Sequence, residues 1–362
     1  MIPLVKPYIA PKEELIPAIE KTLYSGYIAE GEVVYKFERQ FGEYVENPYS
    51  LSLNSGTAAL HIALLLAGVK EGDEIISTAL TAEPTNVAIK LVGAKVVWAD
   101  IDSNTGLLDP FDVRAKITSK TKAIMLVHYA GMVCDLSEFN KISQEYNIPL
   151  IEDAAHALGS KYNEKSIGSN AEYTIFSLQA IKHMTTIDGG FLCVKNKEKA
   201  EQARLMRWFG LDKTKPRLEN DIKRAGYKYH MNNVNATIGL VQMQHIRDIV
   251  GRHIENGKFY DEQLKDISGL KLVKYYPNTE PSYWLYTMKV ERRSDFVKMM
   301  TENEIMASEL HLRNDRHSVF AESKCSLPNL DDFYSKFVHI PCGWWVTDED
   351  RQKIVDVIKK GW

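Results

Sequence analysis

Three short stretches carry side chains whose types and spacing could do chemistry. The first is Asn54-Ser55-Gly56-Thr57, between a short apolar run and the helix-forming ALHIALLLAG. A turn of small residues that opens a helix leaves free backbone N–H groups at the positive end of the helix dipole, which suits a phosphate. Gly56 would let an anion approach the backbone, and Thr57 would add a hydroxyl. The same residue types cap helices with no ligand at all, and taken alone this stretch reads mostly as a cap. The second is Ile151-Glu152-Asp153-Ala154-Ala155-His156. Asp153 ends an apolar strand, where ligands collect in open α/β sheets. Its carboxylate could hold a cationic ring nitrogen, and His156 could reach a ring oxygen or stack on the ring. A helix-capping Asp with a His at the helix edge is an equally good reading. The third runs from Ser177 through Lys182 and His183 to Thr186, then Ile187-Asp188-Gly189-Gly190. A lysine in a turn between two apolar strands could be desolvated and made nucleophilic toward a carbonyl. For any single lysine, a solvated hairpin residue is the commoner case.

The combination is more specific than its parts. A phosphate cradle, a strand-end Asp and a loop Lys, in that order, are the three groups that pyridoxal 5′-phosphate needs. The phosphate anchors at a helix N-terminus, the Asp keeps the ring nitrogen protonated, and the Lys forms a Schiff base and moves a proton.

The elements that must position these groups follow from periodicity. Short β-rich runs alternate with helical segments between residues 50 and 195: SLSL at 50–53, EIIST at 74–78, KVVWADI at 95–101, KAIMLVH at 122–128, PLIEDA at 149–154, EYTIFSL at 172–178 and GFLCVK at 190–195. Nearly continuous apolar strands alternating with helices predict an α/β fold, with a mostly parallel central sheet flanked by helices. Helices are expected over 12–24, 33–45, 57–67, 135–146, 233–249, 251–266, 294–303 and 348–360, and a polar loop over 209–224. Strands near 271–276 and 284–291 make the C-terminal part α+β. The chain is thus expected to divide into a large domain, 1–250, with an N-terminal arm, and a smaller α+β domain, 251–362.

Composition narrows the function classes. With 362 residues and 44% hydrophobic content, the chain can bury a sizeable core without staples. A net charge of −3 argues against binding nucleic acid, which needs a basic face. The four cysteines have no CxxC spacing and the ten histidines no HxH or HExxH pairing, so no metal site is expected. The start, MIPLVKPYIAPKEE, does not read as a signal peptide, and no stretch is long and apolar enough for a membrane span. The expected location is the cytoplasm.

NSGTAALHIAL, EGDEII, IEDAAHALGS, the Lys182 loop followed by TTIDGG, and GYKYHMNNVNATIGLVQM together resemble the DegT/DnrJ/EryC1/StrS family. These are nucleotide-sugar aminotransferases of PLP fold type I, in the aspartate aminotransferase superfamily. The resemblance runs in order from about residue 3 to 265 and more weakly beyond. It implies that Lys182 is the Schiff-base lysine. It implies further that Asp153 pairs with the ring nitrogen, that His156 lies at the ring hydroxyl, and that Gly56, Thr57 and Ser177 bind phosphate. Family members are homodimers with shared sites. Lys228, His230 and Asn232, in the loop Gly226–Asn232, are therefore expected to complete the cofactor or substrate contacts in trans. His183, His311 and Arg313 are further candidates for the substrate, the last two for a nucleotide diphosphate.

Two positions depart from the family pattern. The stretch Ala79-Leu80-Thr81-Ala82-Glu83-Pro84 lacks the usual ring-stacking aromatic, since Ala82 cannot stack. Ile187 stands where the family's turn has glycine, with Asp188 as the acid.

The resemblance implies a reaction in two halves. L-glutamate gives its amino group to the cofactor, leaving pyridoxamine phosphate (PMP), and a nucleotide-linked 4-keto-6-deoxy sugar then receives it. The YHMNN stretch is similar to the YRMTN form of relatives that aminate C4, as in perosamine- or viosamine-type sugars of surface glycans such as lipopolysaccharide O-antigen. Amination at C3 is the first alternative. A sugar dehydratase is the second, and Lys182 speaks against it, because such relatives carry His at the lysine position.

Overall fold

The structure, a computed structural model, describes residues 1–362 except Asn170. Seven strands form the central sheet: β1 (Ser50–Leu53), β2 (Glu74–Thr78), β3 (Lys95–Ala99), β4 (Thr121–Val127), β5 (Leu150–Asp153), β6 (Tyr173–Ser177) and β7 (Gly190–Val194). Their order is β1-β7-β6-β5-β4-β2-β3. Every neighbouring pair is parallel except those made by β7, which runs antiparallel to both β1 and β6. The expected mostly parallel sheet is therefore present. Its strands are buried on both faces, which is why they read as continuous apolar runs rather than alternating ones.

The helices are α1 (Lys12–Leu23), α2 (Glu32–Tyr44), α3 (Gly56–Leu66), α4 (Glu83–Leu91), α5 (Pro110–Ala115), α6 (Leu136–Tyr146), α7 (Lys197–Arg207), α8 (Asn233–Gln242), α9 (Ile246–Gln263), α10 (Arg293–Glu302), α11 (Pro328–Lys336) and α12 (Asp348–Lys359). The break expected between helices 233–249 and 251–266 falls earlier, between Gln242 and Ile246, because Ile246, Ile249, Val250 and His253 are buried at helical spacing and carry the apolar stripe back to 246. The stretch 209–224 is irregular apart from a single 3₁₀ turn, Arg217–Glu219.

A second sheet, β8 (Leu270–Leu272), β9 (Tyr286–Val290) and β10 (Phe337–Ile340), is wholly antiparallel. It packs with α9, α10 and α12 around Tyr260, Phe296, Met300 and Ile354 in a core of its own. The large core lies on the seven-stranded sheet, and Phe320, Leu327, Leu330 and Phe333 from the C-terminal part join it.

One buried ionic cluster ties the large core together. Arg207, at the end of α7, meets Glu38 of α2, Glu30 and the Ser52 carbonyl of β1, with all three charged side chains almost fully buried. Glu38 also accepts from the N–H and hydroxyl of Ser52, at 2.9 and 3.0 Å. Removing Arg207 would leave the buried Glu38 without a counter-ion and Glu30 with Lys213 alone. Arg207→Met is expected to lower unfolding free energy by about 3–5 kcal/mol, read from urea melts.

Candidate functional site

The sheet's register assembles the site at the C-terminal ends of its strands. Leu53 of β1 and Ser177 of β6 both pair with Gly190 of β7, so the start of α3 is drawn up against Ser177. Gly190 has no room for a side chain: a Cβ there would lie 2.6 Å from the Gly56 nitrogen. A Cβ on Gly56 would in turn stand 3.0 Å from the Ser177 Cβ. Ser55 is the N-cap of α3, its hydroxyl accepting from the Ala58 N–H at 3.0 Å. The cap reading and the anion reading are thus both served. Ser55 caps, and Gly56, Thr57 and Ser177 face a cavity of about 350 Å³.

Asp153, His156, Lys182 and His311 line the same cavity. Seven of the twelve residues singled out in the sequence therefore converge there from β1–α3, β5, β6 and the C-terminal part. Asp153 is buried at the end of β5. Its Oδ2 accepts from the Thr85 hydroxyl at 2.7 Å and its Oδ1 from the Ala155 N–H at 3.1 Å. Burial pushes its carboxyl above the ordinary range, against the pull of those two bonds and of Lys182. The Lys182 amine is pushed down to about 7 by burial, with Asp153 opposing the shift. Near neutral pH a large share of it is therefore free base, the form that attacks a carbonyl.

His156 is held as a neutral donor. Its Nδ1 accepts from the Ala130 N–H at 3.4 Å, which assigns the proton to Nε2. Burial and then the charge of Lys182 hold its pKa well below the usual imidazole value. Nε2 is buried with no partner among the described residues, and such groups ordinarily have one. The cavity thus presents a helix N-terminus with hydroxyls, a strand-end carboxylate, an unsatisfied imidazole N–H and an amine of lowered basicity. That donor set fits a phosphorylated, carbonyl-bearing heteroaromatic ring with a basic nitrogen and a ring oxygen.

The remaining predicted residues lie elsewhere. His183 turns into the core, its Nε2 on the Ser282 carbonyl at 3.1 Å and its ring 4.6 Å from that of His253. Arg313 is buried and committed to Asp315, by two bonds of 2.7 Å, and to Asp331. Two nearby carboxylates offset the cost of burying the guanidinium and hold it away from the cavity-lining residues. Lys228, His230 and Asn232 run beside β1, outside this chain's own cavity. Asn232 caps α8 by accepting from the Asn235 N–H at 2.9 Å, and His230 stands edge-on to Trp208 at 4.1 Å.

Four contributors escaped the sequence reading. Thr85 orients Asp153 from the first turn of α4, and Thr81 supports it at 2.9 Å. Glu83, at the cavity wall, stands 3.9 Å from His311 and 3.8 Å from His317. Trp284 lies against Lys182 and His156. Apart from Thr81 and Thr85, these partners stand 68 to 234 residues apart in sequence and leave no local spacing signal, and Trp284 reads as ordinary strand core. No Phe, Tyr or Trp lines the cavity beside Ala82 among the described residues; the rings there are the imidazoles of His156 and His311, parallel within 6° at 6.1 Å.

The turn after Lys182 keeps a glycine-like backbone despite Ile187, whose φ is +73°. Asn235 holds it by donating to the Thr186 and Asp188 carbonyls at 2.6 and 3.2 Å. A β-branched residue in the left-handed region is costly, about 1–2 kcal/mol. Because Ile187 is exposed and buries little, Ile187→Gly should stabilise the protein by about 0.5–1 kcal/mol once the entropy of glycine is counted. A rise in melting temperature would check it.

The sequence pattern described as the DegT/DnrJ/EryC1/StrS aminotransferase family matches residues 10–359. Among solved structures, the sugar aminotransferase CalS13 from Micromonospora echinospora superposes with a TM-score of 0.96 at 34% identity, over 100% of each chain. The PLP-form of the sugar aminotransferase Spr1654 from Streptococcus pneumoniae matches with a TM-score of 0.90 at 27% identity, over 99% of this chain and 98% of that one. The spore coat polysaccharide biosynthesis protein SpsC of Bacillus subtilis is 29% identical over 98% of this chain and 96% of its own length.

Proposed function

The chain belongs to the DegT/DnrJ/EryC1/StrS aminotransferase family, and from that premise we propose that it transfers an amino group from L-glutamate to C4 of a nucleotide-linked 4-keto-6-deoxy sugar. It is a sugar aminotransferase of PLP fold type I, and its cofactor is pyridoxal 5′-phosphate. The observation that carries the reading is the Lys182 amine, pushed down to about 7, in one cavity with Asp153 and the start of α3. Bound there, the cofactor would supply an aldehyde to capture amines and a ring that accepts the electrons of a broken C–H bond.

The chain's own residues divide the remaining work. The N–H groups opening α3, with the hydroxyls of Thr57 and Ser177, hold the phosphate. Asp153, fixed by Thr85 and Ala155, keeps a proton on the ring nitrogen. His156 donates from Nε2 to the ring oxygen. Lys182 Nζ takes the proton from the glutamate Cα and later returns one to the sugar carbon. His311, lining the cavity, is placed to meet the sugar.

Amination at C4 rests on the likeness of Tyr229-His230-Met231-Asn232-Asn233 to the form found in C4-aminating relatives. An amino sugar made in the cytoplasm for a surface polysaccharide is the destination that the likeness to SpsC supports. A homodimer is part of the proposal. Tyr24 and Tyr27 are 85% and 80% exposed beside the apolar Ile28, an arrangement that a second copy would cover. Lys228, His230 and Asn232 would then serve the neighbouring site.

The test begins with the absorbance spectrum before and after borohydride, then peptide mapping. A pyridoxyl group on Lys182 is expected, and no cofactor uptake would overturn the reading. Glutamate with GDP-, UDP- and dTDP-linked 4-keto and 3-keto sugars comes next. NMR of the product should place the amine on C4, and placement on C3 would refute that part. Light scattering should give twice the chain mass, and a monomer would refute the shared site.

A further inference from the structure

Trp284 is almost fully buried and makes three contacts at the reactive lysine. Its indole N–H donates to the Ile181 carbonyl at 2.8 Å, one residue before Lys182. Its ring face lies 4.1 Å from the Lys182 Nζ. The same ring stacks on His156 at 3.9 Å, tilted by 19°. The amine itself has no hydrogen-bond partner among the described residues, so it is held without being engaged.

The backbone around Trp284 is pinned from both cores. The Ser282 N–H donates to the Gly131 carbonyl and the Ser160 hydroxyl, each at 3.1 Å. The Ser282 carbonyl meets His183 Nε2 at 3.1 Å and the Tyr283 carbonyl meets His253 Nδ1 at 2.8 Å. The Tyr283 hydroxyl donates to Asp261 at 2.7 Å. Tyr283 has a φ of +46°, a strained conformation that persists because its surroundings over-determine it. A Cβ on Gly131 would lie 2.7 Å from the Tyr283 nitrogen, and one on Gly257 would lie 2.3 Å from the Tyr283 ring, so both glycines admit the strap only by lacking a side chain.

We propose that Trp284 is a positioning residue for Lys182: its N–H fixes the loop at Ile181, and its face holds the amine at the cavity edge while shielding that side of it from water. The proposal rests on the reading of Lys182 as the amine that moves protons in the transfer. Any buried indole N–H needs an acceptor; what ties this ring to the lysine is that the acceptor is the residue before Lys182 and that the amine stands over its face. The hydrogen bond fixes where the lysine stem leaves the loop. The ring face shields the amine from water, which disfavours the cationic form more than the weak attraction of the ring for a cation favours it, and unlike a carboxylate it does not keep the amine protonated. Stacking on His156 couples both groups to one rigid plane.

Two variants test this. In the apo-protein, acetylation of Lys182 by acetic anhydride, followed by peptide mapping across pH, reports the amine directly. Trp284→Ala lets water in, and the labelling midpoint should rise by about one unit or more toward the ordinary lysine value. Trp284→Phe keeps a ring face, and its midpoint should stay within about half a unit of wild type. In the holoenzyme, Trp284→Phe removes the bond to Ile181 and leaves a smaller ring face in place. Its kcat should fall about 5–20-fold with KM for glutamate within twofold, and the isotope effect with Cα-deuterated glutamate should increase, as expected for a misplaced base. An unchanged midpoint in folded Trp284→Ala overturns the proposal. So does a Phe variant with wild-type kcat and isotope effect, which decides the matter if the Ala variant does not fold. If borohydride leaves no pyridoxyl group on Lys182, the functional reading fails, while the apo-protein midpoints still report on Trp284.

Discussion

Lys182→Ala should abolish turnover while leaving a folded protein that still takes up cofactor reversibly. Loss of a positioned base alone costs about 10²–10⁴-fold, and Lys182 is also the amine expected to tether the cofactor. Single-turnover absorbance with glutamate would measure the first half-reaction; a wild-type rate would mean that another group moves the proton. The same residue makes a stability prediction for the apo-protein. Its folded-state pKa of about 7 lies below the ordinary lysine value near 10.4. Between those values the unfolded chain binds more protons than the folded one, so the contribution of Lys182 to stability rises with pH across that window and is least favourable below it. Lys182→Met keeps the volume and removes the charge. It should therefore be more stable than wild type at pH 6.5, by on the order of a few kcal/mol, with the gap closing toward pH 10. Urea melts of both apo-proteins at several pH values would read this. A gap that does not narrow as pH rises would contradict an amine whose basicity the fold lowers.

Asp153→Asn is expected to cost about 10²–10³-fold in kcat, the range for losing one preorganised charge-stabilising contact. The carboxylate receives two hydrogen bonds, from Thr85 and Ala155. An amide accepts through one oxygen only, so one of these donors would face an NH₂ group and lose its partner. About 1–3 kcal/mol of stability should go with it. The activity loss has a different origin, because a neutral amide no longer favours a proton on the ring nitrogen. Thr85→Val separates the two effects: it removes one donor and keeps the carboxylate charge. It should lower stability and leave kcat within about tenfold of wild type, since a neutral hydrogen bond is worth about 1 kcal/mol. Stopped-flow spectra of the glutamate half-reaction would distinguish these outcomes. An Asp153→Asn enzyme with wild-type rates would remove Asp153 from the ring nitrogen.

The sequence by itself determined the parts whose signal is local. Continuous apolar runs between helical segments announced a buried, mostly parallel sheet, because a strand covered on both faces must be apolar throughout. Gly56, Asp153, Ser177 and Lys182 stood out because each sits at a strand end, a helix start or the turn between two strands, where free backbone groups and the loops between elements gather. The tertiary structure decided everything that depends on which strand ends lie side by side. Gly190, paired to both Leu53 and Ser177, brings the start of α3 to β6. Thr85 and Trp284 reach Asp153 and Lys182 across gaps of 68 and 102 residues, distances over which no periodicity survives. His183 and Arg313 looked like site residues because polar side chains near a reactive lysine or in a mixed-charge loop usually face solvent or ligand. The fold instead supplies the Ser282 carbonyl to one and two carboxylates to the other, and a buried polar group goes where its hydrogen bonds are met.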